Sequence, residues 1–318
     1  MLPASARLPD LYPPIEPHNS GWMERDGGHR IYWEVCGNPN GKPAVFLHGG
    51  PGGACHADHR RLFDPDAYRI ILFDQRGCGR SQPHATIAHN TTQHLVGDME
   101  ALREMLGVRR WLVLGGSWGS TLALAYAQAY PDCVSAMILR GVFTGRRCEL
   151  DWLYREGASV LYPDAWERFV APIPEDERDD LVRAYYRRLT GPDISLRFDC
   201  ARSWCAWESE LLTVMPRGRI GSAAADEMAL ARIEAHYFIN DSFLREGQIL
   251  DGAASIAGIP CVIVQGRHDV VTPPRTAWAL HKALPGSQIH LVPGAGHATG
   301  EPGILSRLVQ ATDRFADV

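Results

Sequence analysis

Ser117 stands in Gly115-Gly116-Ser117-Trp118-Gly119, with a glycine two positions before it and another two after. That spacing suits a serine nucleophile. A serine forced into a strained turn between a strand and a helix has its hydroxyl pushed into the open, and the two arms of the chain then approach so closely that only small residues fit beside it. The start of the helix also aims free N–H groups and the positive end of its dipole at charge that develops there. The same letters serve as a plain Gly-Ser turn elsewhere, so the flanking chain decides between the two. Trp111 to Leu114 is an apolar run too short for a buried helix and bounded by glycine, which predicts a strand buried on both faces. Trp118 to Tyr130 is small and apolar and is followed by Pro131, which predicts a helix packed on a sheet.

A serine hydroxyl needs a base at neutral pH, usually a histidine held in one tautomer by a carboxylate. With a G-x-S-x-G elbow the usual order along the chain is Ser, then Asp or Glu, then His, the last two on loops after late strands. Asp269, in Gln265-Gly266-Arg267-His268-Asp269, and His297, in Pro293-Gly294-Ala295-Gly296-His297, fit that order. Of 13 histidines, His297 alone combines a glycine-rich loop, a late strand end and a place after an acid on the preceding strand. His268 adjoins the acid and His290 falls inside a strand. Asp74, in Asp74-Gln75-Arg76-Gly77, is a rival acid, but it comes too early and reads better as a loop bracing the site. In His48-Gly49-Gly50-Pro51-Gly52 the glycines let the backbone come close, so the N–H of Gly50 can meet that of Trp118 at one carbonyl oxygen as an oxyanion hole. A Gly-Pro turn after a strand is the alternative for this segment.

These loops require a particular scaffold. Gly21 to Gly37 alternates around an Asp-Gly-Gly turn and predicts a β-hairpin. Strands are expected at Ala44–Leu47, Arg69–Phe73, Val134–Leu139, Cys261–Val264 and Gln288–Val292, with helices near Thr92–Gly107, Pro274–Leu284 and Glu301–Phe315. Alternating strands and helices imply an α/β fold with a mostly parallel sheet covered on both faces, whose chemistry gathers at the C-terminal ends of the strands. Residues 145–250 change character: rich in Arg, Asp, Glu, Trp and Tyr, they predict helices broken at Pro163, Pro172, Pro174, Gly191-Pro192 and Pro216. The expected organisation is a core in two parts, 1–144 and 251–318, with a helical cap over 145–250 inserted between late strands. Residues 1 to 17 are proline-rich and predict an extended surface arm.

The composition sets bounds on partners. A chain of 318 residues with 45% hydrophobic and 22% charged residues can bury a large core. A net charge of −5 and a pI near 6.2 argue against a nucleic-acid or anionic-membrane partner. No apolar stretch approaches a membrane span, and the N-terminus reads as too short and proline-broken for a secretory signal. The eight cysteines, at 36, 55, 78, 133, 148, 200, 205 and 261, form no C-x-x-C pair and no zinc-ligand spacing, so free thiols in a reducing cytoplasm are expected.

The segments His48-Gly49-Gly50-Pro51-Gly52, Asp74-Gln75-Arg76-Gly77-Cys78-Gly79-Arg80-Ser81, Gly115-Gly116-Ser117-Trp118-Gly119-Ser120, Gly266-Arg267-His268-Asp269 and Gly294-Ala295-Gly296-His297 together resemble the proline iminopeptidases of the α/β-hydrolase fold. The resemblance runs along nearly the whole chain and is looser in the cap. It implies cytoplasmic, cofactor-free and metal-free release of N-terminal proline from small peptides, with Ser117, Asp269 and His297 as the triad. It leaves the oligomeric state open. It also implies that Glu208, in Trp204-Cys205-Ala206-Trp207-Glu208, and Glu234, in Glu234-Ala235-His236-Tyr237-Phe238, bind the substrate's amine, and that Phe143 packs on the proline ring. By pattern alone each glutamate reads more readily as part of a solvated helix face. An esterase or amidase using the same triad, and a hydrolase-like binding protein without catalysis, are the alternatives. A dehalogenase or epoxide hydrolase would carry Asp at the elbow.

Overall fold

The computed structural model describes residues 11–215 and 224–316. The first ten residues of the proline-rich arm and the expected break at Pro216 lie outside them. The hairpin forms as β1 (Asn19–Arg25) and β2 (His29–Gly37), antiparallel around Asp26–Gly28. Then come β3 (Lys42–Leu47), α1 (Ala57–Arg60), β4 (Tyr68–Phe73), α2 (Thr92–Met105), β5 (Trp111–Gly116), α3 (Trp118–Ala129) and β6 (Val134–Arg140). Seven helices follow without a strand among the described residues: α4 (Arg147–Tyr154), α5 (Ala158–Leu161), α6 (Pro163–Val170), α7 (Leu181–Thr190), α8 (Ile194–Leu211), α9 (Ala224–Ile239) and α10 (Gln248–Asp251). The sheet resumes with β7 (Cys261–Gly266), α11 (Pro274–Ala283), β8 (Gln288–Val292) and α12 (Pro302–Ala316).

The eight strands lie in the order β1-β2-β4-β3-β5-β6-β7-β8. β2 runs antiparallel to β1 and β4, and every pairing from β4 to β8 is parallel. Period-two alternation divides the core in two. On β5, Trp111 and Val113 face the layer that holds α2 and α3, while Leu112 and Leu114 face the layer that holds α12. On β6, Ala136 and Ile138 share the second face. Strands buried on both sides must be apolar at both parities, which is why their runs are continuous rather than alternating.

The elbow follows from sterics. A Cβ on Gly115 would lie 2.1 Å from the carbonyl oxygen of Gly119, and one on Gly119 would lie 2.2 Å from that of Leu47. Only glycine at both positions lets α3 start directly against β3 and β5. Ser117 absorbs the change of direction at φ 58°, ψ −126°, outside the ordinary regions for an L-residue. Its own N–H donates to Arg140 O at 2.8 Å, and its carbonyl accepts from the N–H and hydroxyl of Ser120 at 2.8 and 2.6 Å, which fixes the strained turn.

Candidate active site

A cavity of about 530 Å³ lies where the helices between β6 and β7 meet the C-terminal edge of the sheet, and Ser117, His297, Gly50, Phe143, Glu208 and Glu234 all line it. The loop after β7 brings Asp269, and the loop after β8 brings His297. His297 Nδ1 lies 2.8 Å from Asp269 Oδ2. The remaining capacity of that carboxylate is filled: Oδ1 accepts from Thr272 N–H at 2.8 Å, and Oδ2 accepts from the Gln265 amide at 2.8 Å and from the Thr272 hydroxyl at 3.0 Å. Asp269 is therefore held in one orientation, and its contact with Nδ1 places the His297 proton there, leaving Nε2 to accept.

That nitrogen is occupied. Arg140 Nη1 lies 3.0 Å from His297 Nε2 and donates to the His297 carbonyl at 3.2 Å. Among the described residues no hydrogen bond joins Ser117 Oγ to His297. The guanidinium reaches this place because Arg140 continues the alternation of Ala136 and Ile138 at the end of β6. Opposite it stands Gly116, where a Cβ would lie 2.4 Å from Arg140 Nη2. Burial pushes the Arg140 pKa down to about 10, opposed only by the charge of Asp269.

Gly50 sits at φ +112°, and a Cβ on its neighbour Gly49 would lie 3.3 Å from both Gly116 O and Ser117 Cβ, so this loop rests directly on the elbow. The N–H of Trp118 lies at the open start of α3. Gln75 ties the two segments together: its backbone N–H donates to His48 Nε2 at 3.0 Å, its amide donates to His48 O at 2.9 Å, and its carbonyl oxygen accepts from Trp118 Nε1 at 3.0 Å. Asp74 does not reach His297. Its oxygens accept from Cys55 N–H and from the backbone and Nε of Arg80, at 2.8 to 2.9 Å.

Glu208 on α8 and Glu234 on α9 line the cavity as neighbours, close enough for each carboxyl to act on the other. Tyr154 Oη donates to Glu208 Oε1, and Trp204 Nε1 donates to Glu234 Oε2 at 2.7 Å. Burial raises the pKa of Glu208. Burial, together with the charge of Glu208, holds Glu234 well above the ordinary carboxylate range. Phe143 stands beside them, its ring edge-on to Phe238 at 5.9 Å, and Tyr154 stacks on Trp204 at 4.6 Å. The N–H groups of His297 and Ala298 both donate to Leu212 O, at 3.0 and 2.8 Å, which ties the histidine loop to the end of the helix that carries Glu208.

Sequence reasoning passed over Arg140, Gln75, Gln265, Thr272 and Tyr154. For Arg140 a signal existed, since it falls on the parity of Ala136 and Ile138 and so had to point into the core layer. The Gln75 and Tyr154 contacts are long-range and leave no mark in local spacing, whereas Gln265 and Thr272 reach Asp269 over four and three residues.

A serine on a strained strand-to-helix turn, an Asp-His pair on the loops after the last two strands and a helical insertion over a mostly parallel sheet define an α/β hydrolase. Residues 42–303 match the α/β-hydrolase fold family. A putative aryl esterase from Burkholderia cenocepacia superposes with a TM-score of 0.65 at 21% identity, covering 94% of this chain and 99% of that one. The chain is 54% identical to a probable proline iminopeptidase of Leptolyngbya boryana over 309 residues, 96% of each protein. It is 53% identical to the proline iminopeptidase of Xylella fastidiosa (96% of this chain, 99% of that one) and 49% identical to that of Arabidopsis thaliana (96% and 82%). The chain belongs to the proline iminopeptidase family.

Proposed function

We propose that this protein is a prolyl aminopeptidase that releases N-terminal proline from small peptides through an acyl-enzyme on Ser117. The observation that carries the reading is the pair of half-buried Glu208 and buried Glu234, which line the same cavity as Ser117. An N-terminal proline is a secondary ammonium with two N–H bonds, and two carboxylates offer one acceptor to each. Charge on either carboxyl is penalised by burial, and at Glu234 also by repulsion from Glu208. A cationic amine relieves that repulsion, whereas an acylated nitrogen, as inside a longer chain, would leave it in place. Phe143 and Phe238 supply an apolar wall of a size that suits a pyrrolidine ring.

With the amine so anchored, the scissile carbonyl is delivered to Ser117. Ser117 Oγ attacks the carbonyl carbon as its proton passes to His297 Nε2, and the N–H groups of Gly50 and Trp118 take the negative charge on oxygen. Imidazolium is stabilised by Asp269 and returns the proton to the leaving amine. A water then repeats the sequence on the ester to free proline. Arg140 must leave Nε2 before the first step. Residues 145–250 act as a cap that closes the amine end of the cavity and enforces the exopeptidase mode. No helix among the described residues is long and apolar enough to cross a membrane. Eight free cysteines, six of them buried, favour a reducing, cytoplasmic setting.

The test is release of free proline from prolyl-alanine compared with N-acetyl-prolyl-alanine. Proline from the first and none from the second is the expected result. Equal cleavage of both, or cleavage of simple esters alone, would favour an esterase or amidase.

A further inference from the structure

Arg140 is a half-buried cation that lines the catalytic cavity and has no counterion among the described residues. Among the described residues no carboxylate lies within 4.0 Å of its guanidinium, and its Nε is buried without a hydrogen-bond partner. Asp269 is the only acid whose charge bears on it, and that carboxylate is already committed to His297, Thr272 and Gln265. Leaving a buried charge unpaired is costly, and a planar guanidinium is shaped to receive a carboxylate through two parallel bonds. His56 and His59 line the same cavity, as does Glu149, whose carboxylate accepts from Thr144 and from the Arg146 backbone. His59 Nδ1 accepts from the backbone N–H of His56 at 3.0 Å, which leaves its own proton on Nε2 as a further donor. Arg140 and His59 thus offer donors to the cavity, whereas Glu208 and Glu234 supply acceptors to the amine.

The location gives the missing anion a chemical identity. In acyl transfer His297 Nε2 hands its proton to the departing nitrogen, so that nitrogen lies within hydrogen-bond distance of Nε2. Arg140 Nη1 lies 3.0 Å from the same atom. In a dipeptide the terminal carboxylate carbon is two bonds from the departing nitrogen, about 2.5 Å away. In a longer peptide an uncharged amide takes its place.

We propose that Arg140 is the receptor for the C-terminal carboxylate of a prolyl dipeptide, and that taking up this carboxylate draws the guanidinium off His297 Nε2 and frees the base. The inference rests on the aminopeptidase reading and deepens it: dipeptides are the preferred substrates. Without the anion, Arg140 rests on the base and slows attack by Ser117. With it, the substrate's own terminus completes the site.

The experiment compares kcat/KM for prolyl-glycine, prolyl-glycinamide and prolyl-glutamamide, the last carrying a carboxylate only on its side chain. In the wild-type enzyme the dipeptide should exceed both amides by about a hundredfold, the scale of a buried charged contact. In Arg140→Met the ratio of kcat/KM for prolyl-glycine to that for prolyl-glycinamide should fall to about one, whatever the variant's absolute rate. Arg140→Lys should keep part of the preference. Equal kcat/KM for dipeptide and glycinamide in the wild type, which needs no variant to fold, would overturn the proposal. So would proportional losses on all three substrates in Arg140→Met. A glutamamide as good as the dipeptide would move the carboxylate to the side chain and overturn the dipeptide assignment. Absence of free proline from all three would instead overturn the aminopeptidase reading on which the inference stands.

Discussion

Replacing Glu208 or Glu234 with Gln should separate activity from stability in opposite directions. Each carboxyl is confined by a fixed donor, Tyr154 Oη on Glu208 and Trp204 Nε1 on Glu234, and Gln keeps an oxygen to accept that bond. What Gln removes is charge. A buried charged contact to a substrate amine is worth ~2 to 5 kcal/mol, so kcat/KM for a proline amide should fall by about thirtyfold to several thousandfold. A small activated ester without an amine should still acylate Ser117 at near the wild-type rate, because Asp269, His297, Gly50 and Trp118 are untouched. The unliganded protein should gain stability. Both carboxyls have raised pKa values in the fold, so their contribution to stability is fully present below the ordinary Glu value and is lost as pH rises through the raised values. Above the ordinary Glu range the cost of charging this pair works against the fold, and Gln at either position removes that cost from one partner. A gain of about 1 kcal/mol, roughly 2–4 °C in Tm, is expected at pH 8 and should vanish near pH 4. The assays are paired kinetics on amide and ester, and thermal melts at the two pH values. Equal kinetic losses on both substrates, or a lowered Tm at pH 8, would refute the reasoning and make the glutamates supports of the cap.

Three further substitutions probe the scaffold of the site. Asp269→Asn should leave the fold intact and lower kcat by about ten-thousandfold, since imidazole loses its orienting and charge-balancing partner; Asp74→Asn proving the more damaging with folding preserved, by kinetics and circular dichroism, would identify the other acid. Gln75→Leu unties the His48 loop from Trp118 and should cost about tenfold to a hundredfold in kcat with little change in KM, as steady-state kinetics would measure. Gly119→Ala places a Cβ 2.2 Å from Leu47 O, in backbone that cannot yield, and should destabilise by about 4 kcal/mol or more in a denaturant melt.

The parts of the site legible in the sequence are those set by local sterics. Gly115, Ser117 and Gly119 read as an elbow by their spacing; the clash that forbids a larger residue at Gly115 is local, with Gly119 O, whereas the one at Gly119 is with the distant Leu47 O. The loops carrying Asp269 and His297 could be placed because each follows a strand pattern, a buried apolar run at β7 and an alternating edge strand at β8. Strand ends came out short by a residue or two, as with β5 and β7, because glycines at their ends read as loop although they still pair. Glu208 and Glu234 lie on helices without a marked apolar face. Local periodicity could not tell a solvated glutamate from one turned into the cavity, and only the resemblance singled them out. Arg140 escaped because a cation at a strand end reads as the point where the chain meets solvent; the pocket that takes its guanidinium is made by Gly116 on the neighbouring strand. Gln75 escaped for a similar reason. Its side chain bridges two segments more than forty residues apart in sequence, His48 and Trp118 being on either side of it.

The central claim, that Ser117 is the nucleophile of an enzyme that requires a free N-terminal proline, is tested most directly by covalent trapping. The wild-type protein is treated with a proline-derived aryl phosphonate bearing a free amine, and with its N-acetylated form, and the adduct is located by peptide mass spectrometry. One adduct on Ser117, formed rapidly from the free amine and slowly from the acetylated reagent, and absent from Ser117→Ala with activity reduced by up to about a millionfold, is the predicted result. Labelling of another residue with loss of activity, or equal rates for the two reagents, would contradict it.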